Sequence, residues 1–153
     1  MKRFHVHVNV DDLPASIDSY SRLFALPPTR VEADYAKWML DDPRVNFAIS
    51  QRGAKPGSDH LGIQVDSDAE LEVINQHLAA AILPVEAQKQ AACCYAESNK
   101  YWTVDPQGIA WEAFHTLSSI PVFGGDTANP IKAESTCCSP SSRELTSNES
   151  ENL

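Results

Sequence analysis

Two histidines at matching places, one carboxylate and two pairs of adjacent thiols are the side chains of this sequence with chemistry to offer. His5 opens the run His-Val-His-Val-Asn-Val-Asp at 5–11, and His60 opens His-Leu-Gly-Ile-Gln-Val-Asp at 60–66. Two neutral imidazoles that converge form a half-site for a first-row metal. Glu112 lies in Trp111-Glu112-Ala113-Phe114, where burial without a partner would be costly, and it is the candidate third ligand. Two histidines and one carboxylate leave coordination positions open, as catalysis requires, and form the donor pattern of non-haem Fe(II) oxygenases. His7 shares a strand face with His5 and is the substitute ligand if His5 points elsewhere. His77 is expected on an exposed helix side and His115 away from the site, both inert.

The cysteines fall as Cys93-Cys94 and Cys137-Cys138. Neighbouring cysteines close only a strained ring and make poor staples, and a reducing cytosol disfavours structural disulfides. Adjacent thiolates suit a soft metal or metalloid. Tyr95 and Lys100 flank the first pair. The Lys100 charge would favour thiolate if it faced the sulfurs, although the ordinary place for a lysine is the solvated surface.

The elements that must position these groups come from an internal repeat. The two seven-residue runs, 55 residues apart, alternate apolar and polar residues with the period of a half-buried strand. An amphipathic helix follows each. Leu13, Ile17, Tyr20 and Phe24 recur at helical spacing behind Asp11-Asp12, with Pro14 suited to the first turn. Leu71, Ile74, Leu78 and Ile82 do so behind Ser67-x-x-Glu70, a capping-box pattern. Ile17, Tyr20 and Phe24 map onto Leu71, Ile74 and Leu78 at an offset of 54. A third echo pairs Trp38–Pro43 with Trp102–Pro106, each leading into a further apolar run, and Pro27-Pro28 and Pro84 end the helices. The expected fold is α+β, with tandem βαβββ modules at about 1–54 and 55–120. In this alignment Phe47 stands where Glu112 stands in the second module, so a symmetric set of four ligands becomes three.

At 153 residues the chain fits one domain or two fused modules. A net charge of −9 with 12 scattered basic residues argues against a nucleic-acid partner. No run approaches the roughly 20 apolar residues of a membrane span, and no apolar leader follows Lys2-Arg3. A cytoplasmic protein is the expectation. Residues 121–153 read as a flexible tail carrying Cys137 and Cys138, because beyond Phe123 there is neither aromatic nor valine to offset ordering entropy.

His-x5-Asp opening each half and Asp-Pro-x-Gly-x-x-Trp-Glu at 105–112 resemble the vicinal oxygen chelate superfamily of glyoxalases, extradiol dioxygenases and bleomycin-resistance proteins, over roughly residues 1–117. The stretch Cys93-Cys94-Tyr-Ala-Glu-Ser-Asn-Lys100-Tyr-Trp102, with the later pair in Lys132-Ala-Glu-Ser-Thr-Cys-Cys, is similar to its cadmium-induced (CadI) and arsenic-lyase branch. The resemblance implies a glyoxalase-like fold and an Fe(II)- and O2-dependent lyase that releases arsenite from methylarsenite or aromatic trivalent arsenicals. It assigns iron to His5, His60 and Glu112, and arsenic to Cys93 and Cys94, with Tyr95 and Lys100 beside them. Ni(II), Cu(II) or Zn(II) could displace iron from such ligands in a preparation. Two other readings stay open: a soft-metal (Cd or As) binding protein without turnover, and a glyoxalase or dioxygenase of the same fold. The site could be built within one chain or across a homodimer with swapped halves.

Overall fold

The computed structural model describes residues 1–124; Cys137, Cys138 and nearly all of the expected tail lie outside the described residues. The first half runs β1 (Arg3–Asn9), α1 (Leu13–Phe24), β2 (Arg30–Glu32), β3 (Tyr35–Asp41) and β4 (Arg44–Ser50). The second repeats the order with β5 (Gly57–Val65), α2 (Asp68–Ala80), β6 (Glu86–Cys93), β7 (Ala96–Val104) and β8 (Ala110–Ser119).

Local chemistry sets the helix ends. The Asp12 carboxylate accepts the Ala15 amide at 2.9 Å, Pro14 sits in the first turn, and Ala25 closes α1 in the left-handed conformation. Ser67 Oγ accepts the Glu70 amide at 3.2 Å, while the Glu70 carboxylate reaches back to the Asp66 amide, one residue short of a simple capping box. Helix α2 ends at Ala80. Ile82, expected on its apolar stripe, lies beyond it and is 91% exposed at positive φ.

The eight strands form one mixed sheet in the order β2-β3-β4-β1-β5-β8-β7-β6. Each half contributes four neighbours, with β1 parallel to β4 and β5 parallel to β8. The halves join antiparallel, Val6 opposite Leu61. These two residues are 55 apart, so a pseudo-twofold axis passes between them. Both helices pack on one face, α1 through Ile17, Tyr20 and Phe24, α2 through Leu71, Ile74 and Leu78. The other face carries the polar residues. Arg30 on edge strand β2 donates to the carbonyls of Tyr95 and Ile120 at 3.0 Å, so the sheet curls until one edge meets the β6–β7 turn at the other. Among the described residues, no helix is long and apolar enough to cross a membrane.

Two rows across the sheet correct the repeat alignment. Trp38–Phe47–Val6–Leu61–Trp111–Thr103 face the helices, and Met39–Asn46–His5–Gly62–Glu112–Trp102 face the other way. Phe47 is therefore the counterpart of Trp111. The counterpart of Glu112 is Ala48, which pairs with His7 as Glu112 pairs with Gly62. Likewise Trp38 corresponds to Thr103, not to Trp102. A strand alternates faces at every residue, so an alignment one residue out transfers a side chain to the wrong side.

Candidate metal and thiol site

Adjacent strands at the centre of the sheet deliver the metal candidates to one point. His5 Nε2 and His60 Nε2 are 3.1 Å apart, and Glu112 Oε2 lies 3.8 Å from the first and 3.4 Å from the second. Ligands held about 2.0–2.2 Å from one first-row ion stand roughly 3–3.6 Å from each other, so this donor set fits such an ion with shifts of a few tenths of an ångström. Gly62 makes the convergence possible. It lies in the row between His5 and Glu112, and a Cβ there would come within 2.4 Å of the Glu112 carbonyl oxygen.

Hydrogen bonds behind the imidazoles fix which nitrogen faces inward. His5 Nδ1 donates to the Asn46 carbonyl at 3.0 Å, and His60 Nδ1 faces the Asp59 carboxylate at 2.7 Å. Each bond leaves Nε2 for the centre. Asp59 is the unmatched residue at a register shift between β1 and β5 and is steadied by Asn9 Nδ2 at 2.9 Å. His7 supplies a third nearby imidazole, with ligand atoms of His5, His7 and His60 within 4.8 Å of one another. Its Nε2 is engaged with Ser50 Oγ at 2.9 Å, while its Nδ1 is buried without a hydrogen-bond partner.

Burial and neighbouring charges divide the protons of the site unevenly. Burial, with the neighbouring His60 charge, lowers His5 to about 4. His7 falls to about 3 for the same reasons. Burial also disfavours charge on His60, but Asp59 and Glu112 outweigh it and raise it to about 9. Glu112 would be pushed up by burial, yet the Lys100 ammonium holds it well below the usual carboxylate range. Lys100 Nζ sits 2.6 Å from Glu112 Oε1, and that carboxylate and the nearby thiols raise it despite burial. The solvated Lys100 of the sequence reading is thus corrected: the residue is 5% exposed, because an unpaired Glu112 could not be buried beside it.

The thiols face the same cavity. Cys93 ends β6 and Cys94 enters a two-residue turn, with sulfurs 3.3 Å apart, beyond disulfide bonding. Cys93, Cys94, Lys37 and Lys100 line one cavity together with His5, His60 and Glu112, and its free volume is about 30 Å³. That is room for an ion and a water rather than an aryl group. Cys94 and Tyr95 have φ of 55° and 61°, values that hairpin turns usually assign to Asn and Gly. Tertiary contacts hold them there. The Tyr95 hydroxyl donates to Asp34, its carbonyl accepts from Arg30 and from the Ile120 amide, and Phe123 packs on its ring. Gly124 then bridges to Cys93.

His5, His60, Glu112, Cys93, Cys94 and Lys100 therefore meet. Tyr95, expected among the catalytic groups, packs behind the turn. His77 is exposed and His115 pairs with Asp68 on the helix side. Sequence reasoning missed Asp59, Asn46, Gly62 and Lys37. Asp59 had a signal, since a carboxylate adjoins the candidate ligand His60; the Asn46 contact runs through a backbone carbonyl, which no residue type announces.

No family model matches the chain. The trivalent organoarsenical cleaving enzyme of Bacillus sp. (strain MD1) is 39% identical over 160 residues, covering 97% of this chain and 98% of that protein. The cadmium-induced protein CadI of Mycobacterium tuberculosis (strain ATCC 25618 / H37Rv) is 31% identical over 142 residues, covering 90% and 93%. Among solved structures, the 2,3-dioxygenase LapB from Pseudomonas sp. KL28 superposes with a TM-score of 0.59 at 20% identity, over 77% of this chain and 42% of that one. The Mn(II)-bound glyoxalase from Novosphingobium aromaticivorans gives 0.56 at 17%, over 84% and 44%. The chain spans under half the length of these two structures, which share its fold.

Proposed function

Because this chain belongs to the family of trivalent organoarsenical cleaving enzymes and CadI proteins, within the vicinal oxygen chelate superfamily, we propose that it is a cytoplasmic, Fe(II)- and O2-dependent lyase that cleaves the carbon–arsenic bond of methylarsenite or aromatic trivalent arsenicals and releases arsenite. The observation that carries this reading is the shared cavity, with two sulfurs 3.3 Å apart on its wall and a triangle of two imidazoles and a carboxylate at its floor.

Trivalent arsenic bearing one organic group has two exchangeable positions, and Cys93 and Cys94 fill both. Held by both sulfurs, the arsenic–carbon bond is presented to the floor of the cavity, and an encounter becomes an intramolecular event. His5, His60 and Glu112 would hold the metal. Ferrous iron, when bound, supplies dioxygen chemistry that side chains lack. Asp59 and the Asn46 carbonyl keep both Nε2 atoms aimed inward, and Lys100 keeps Glu112 ionised. The small free volume requires the β6–β7 turn to shift outward for an aryl arsenical.

Anaerobically purified, Fe(II)-loaded protein given methylarsenite and oxygen should release arsenite, measured by arsenic speciation. Release should vanish in both Cys93→Ser and Glu112→Ala. Tight Cd(II) binding with no arsenite formed would replace this reading with soft-metal sequestration by the same thiols.

A further inference from the structure

His7 stands two residues beyond His5 on the same face of β1 and directly opposite His60 where the halves join. It is 2% exposed. Its ring centroid lies 5.0 Å from that of His60 and 6.3 Å from that of His5. Nε2 is 2.9 Å from Ser50 Oγ, while Nδ1 is buried with no hydrogen-bond partner among the described residues. Native interiors rarely leave such an atom unanswered.

The neighbouring rings explain the pattern. Each turns one nitrogen outward to a fixed partner and keeps the other for the centre, His5 Nδ1 on the Asn46 carbonyl and His60 Nδ1 on the Asp59 carboxylate. His7 does the same with its two nitrogens exchanged. Metal-bound histidines are held in this way, and the outer partner selects the tautomer. Here the outer partners are themselves joined. Ser50 Oγ donates to Asn9 Oδ1 at 3.5 Å, and Asn9 Nδ2 donates to Asp59 Oδ1 at 2.9 Å. With its proton given to Asn9, the Ser50 hydroxyl is left to accept from His7 Nε2–H, which puts the ring's lone pair on Nδ1. A continuous run, His7–Ser50–Asn9–Asp59–His60, thus orients both imidazoles.

The ligand atoms of His5, His7 and His60 lie within 4.8 Å of one another. Ligands on opposite sides of an ion at about 2.0–2.2 Å stand roughly 4.0–4.4 Å apart, so a third imidazole closes on the centre by about half an ångström. His7 also pairs with Ala48, the counterpart of Glu112, so no second carboxylate competes for that side.

We propose that His7 is a further ligand of this centre through Nδ1, so that a bound first-row ion meets three imidazoles and the Glu112 carboxylate. An ion that takes six ligands keeps two positions open. The third imidazole favours Fe(II), Co(II), Ni(II), Cu(II) or Zn(II) over Mn(II) and Mg(II), which suit oxygen donors. The assignment concerns the metal alone and does not rest on the carbon–arsenic reading.

The test loads the full-length protein with one equivalent of Co(II). Proton NMR then counts the paramagnetically shifted, solvent-exchangeable imidazole N–H signals, one for each coordinated ring. Wild type should show three and His7→Gln two. Ser50→Ala should weaken Co(II) by about tenfold, measured by competition with a chromophoric chelator, and His7→Gln should weaken it further. Should His7→Gln fail to fold, the wild-type count decides. Two signals in wild type, three in folded His7→Gln, or unchanged Co(II) affinity in Ser50→Ala would overturn the proposal.

Discussion

In the first half of the molecule Tyr20, Phe24, Trp38 and Phe47 fill the space between α1 and the sheet; in the second, Ile74, Leu78, Thr103 and Trp111 hold the same places around a cavity. The contrast on the other face is of a different kind. There the first half offers Ala48 and Lys37 where the second offers Glu112 and Trp102, and His7 where the second has Gly62. Duplication alone puts His5 and His60 together at the axis. Departure from it limits the carboxylate to one and opens the gap into which Glu112 reaches. Symmetry brings the two candidate imidazole ligands together, and its loss leaves a single carboxylate beside them.

The largest expected effect lies at that departure. Glu112→Ala should abolish divalent-metal binding in calorimetric titration and destabilise the protein by about 3–5 kcal/mol, since Lys100 would remain buried without its carboxylate. Adding Lys100→Met should restore much of the stability and none of the metal binding. If the single variant unfolds at the same denaturant concentration as the parent, Lys100 is not held by Glu112.

The helix-facing row gives the next test, because Trp38 and Thr103 occupy equivalent positions. Trp38→Ala should cost about 3–5 kcal/mol in chemical denaturation. Thr103→Val should be neutral or slightly stabilising, since it keeps the shape and removes a hydroxyl with no partner. Similar losses at both positions would mean that the halves are packed alike.

Much of this architecture is written in periodicity. Alternation over 5–11 and 60–66 marks β1 and β5, and Asp12 and Ser67 mark the helix starts. His5 and His60 were legible because a repeat makes equivalence visible, and the Cys93-Cys94 pair because adjacent thiols are uncommon. Register was not legible. Apolar residues on both faces of β4 and β8 let Phe47 be matched to Glu112 when Ala48 is its true counterpart. Nor was the burial of Lys100, which depends on a carboxylate reaching it from the next strand, or the Cys94-Tyr95 turn, whose conformation is imposed by Asp34, Arg30 and Phe123 from distant segments.

Gly62→Ala probes the gap itself. A Cβ would meet the backbone oxygen of Glu112 at 2.4 Å, and backbone cannot turn aside as a side chain can. A loss of about 1–3 kcal/mol should accompany weaker metal binding. Unaltered metal affinity would show that β5 and β8 separate without moving Glu112.

The smallest effect concerns the two equivalent turns, Ala33-Asp34 between β2 and β3 and Cys94-Tyr95 between β6 and β7. They meet where the Tyr95 hydroxyl donates to Asp34. Burial and that carboxylate raise Tyr95 from 10.0 to about 12, because both disfavour the phenolate. A group whose acidity is weakened by folding contributes its full stability below its unfolded value and loses it as pH rises through the folded one. Wild type should therefore exceed Tyr95→Phe by about 0.5–1.5 kcal/mol at neutral pH, unchanged to about pH 10 and shrinking toward pH 12. Denaturation across that range, with tyrosinate absorbance as a second reading, measures it. A difference that vanishes well below pH 10 would mean that Asp34 does not hold the thiol-bearing turn, and the closed cavity would then rest on Arg30, Ile120, Phe123 and Gly124.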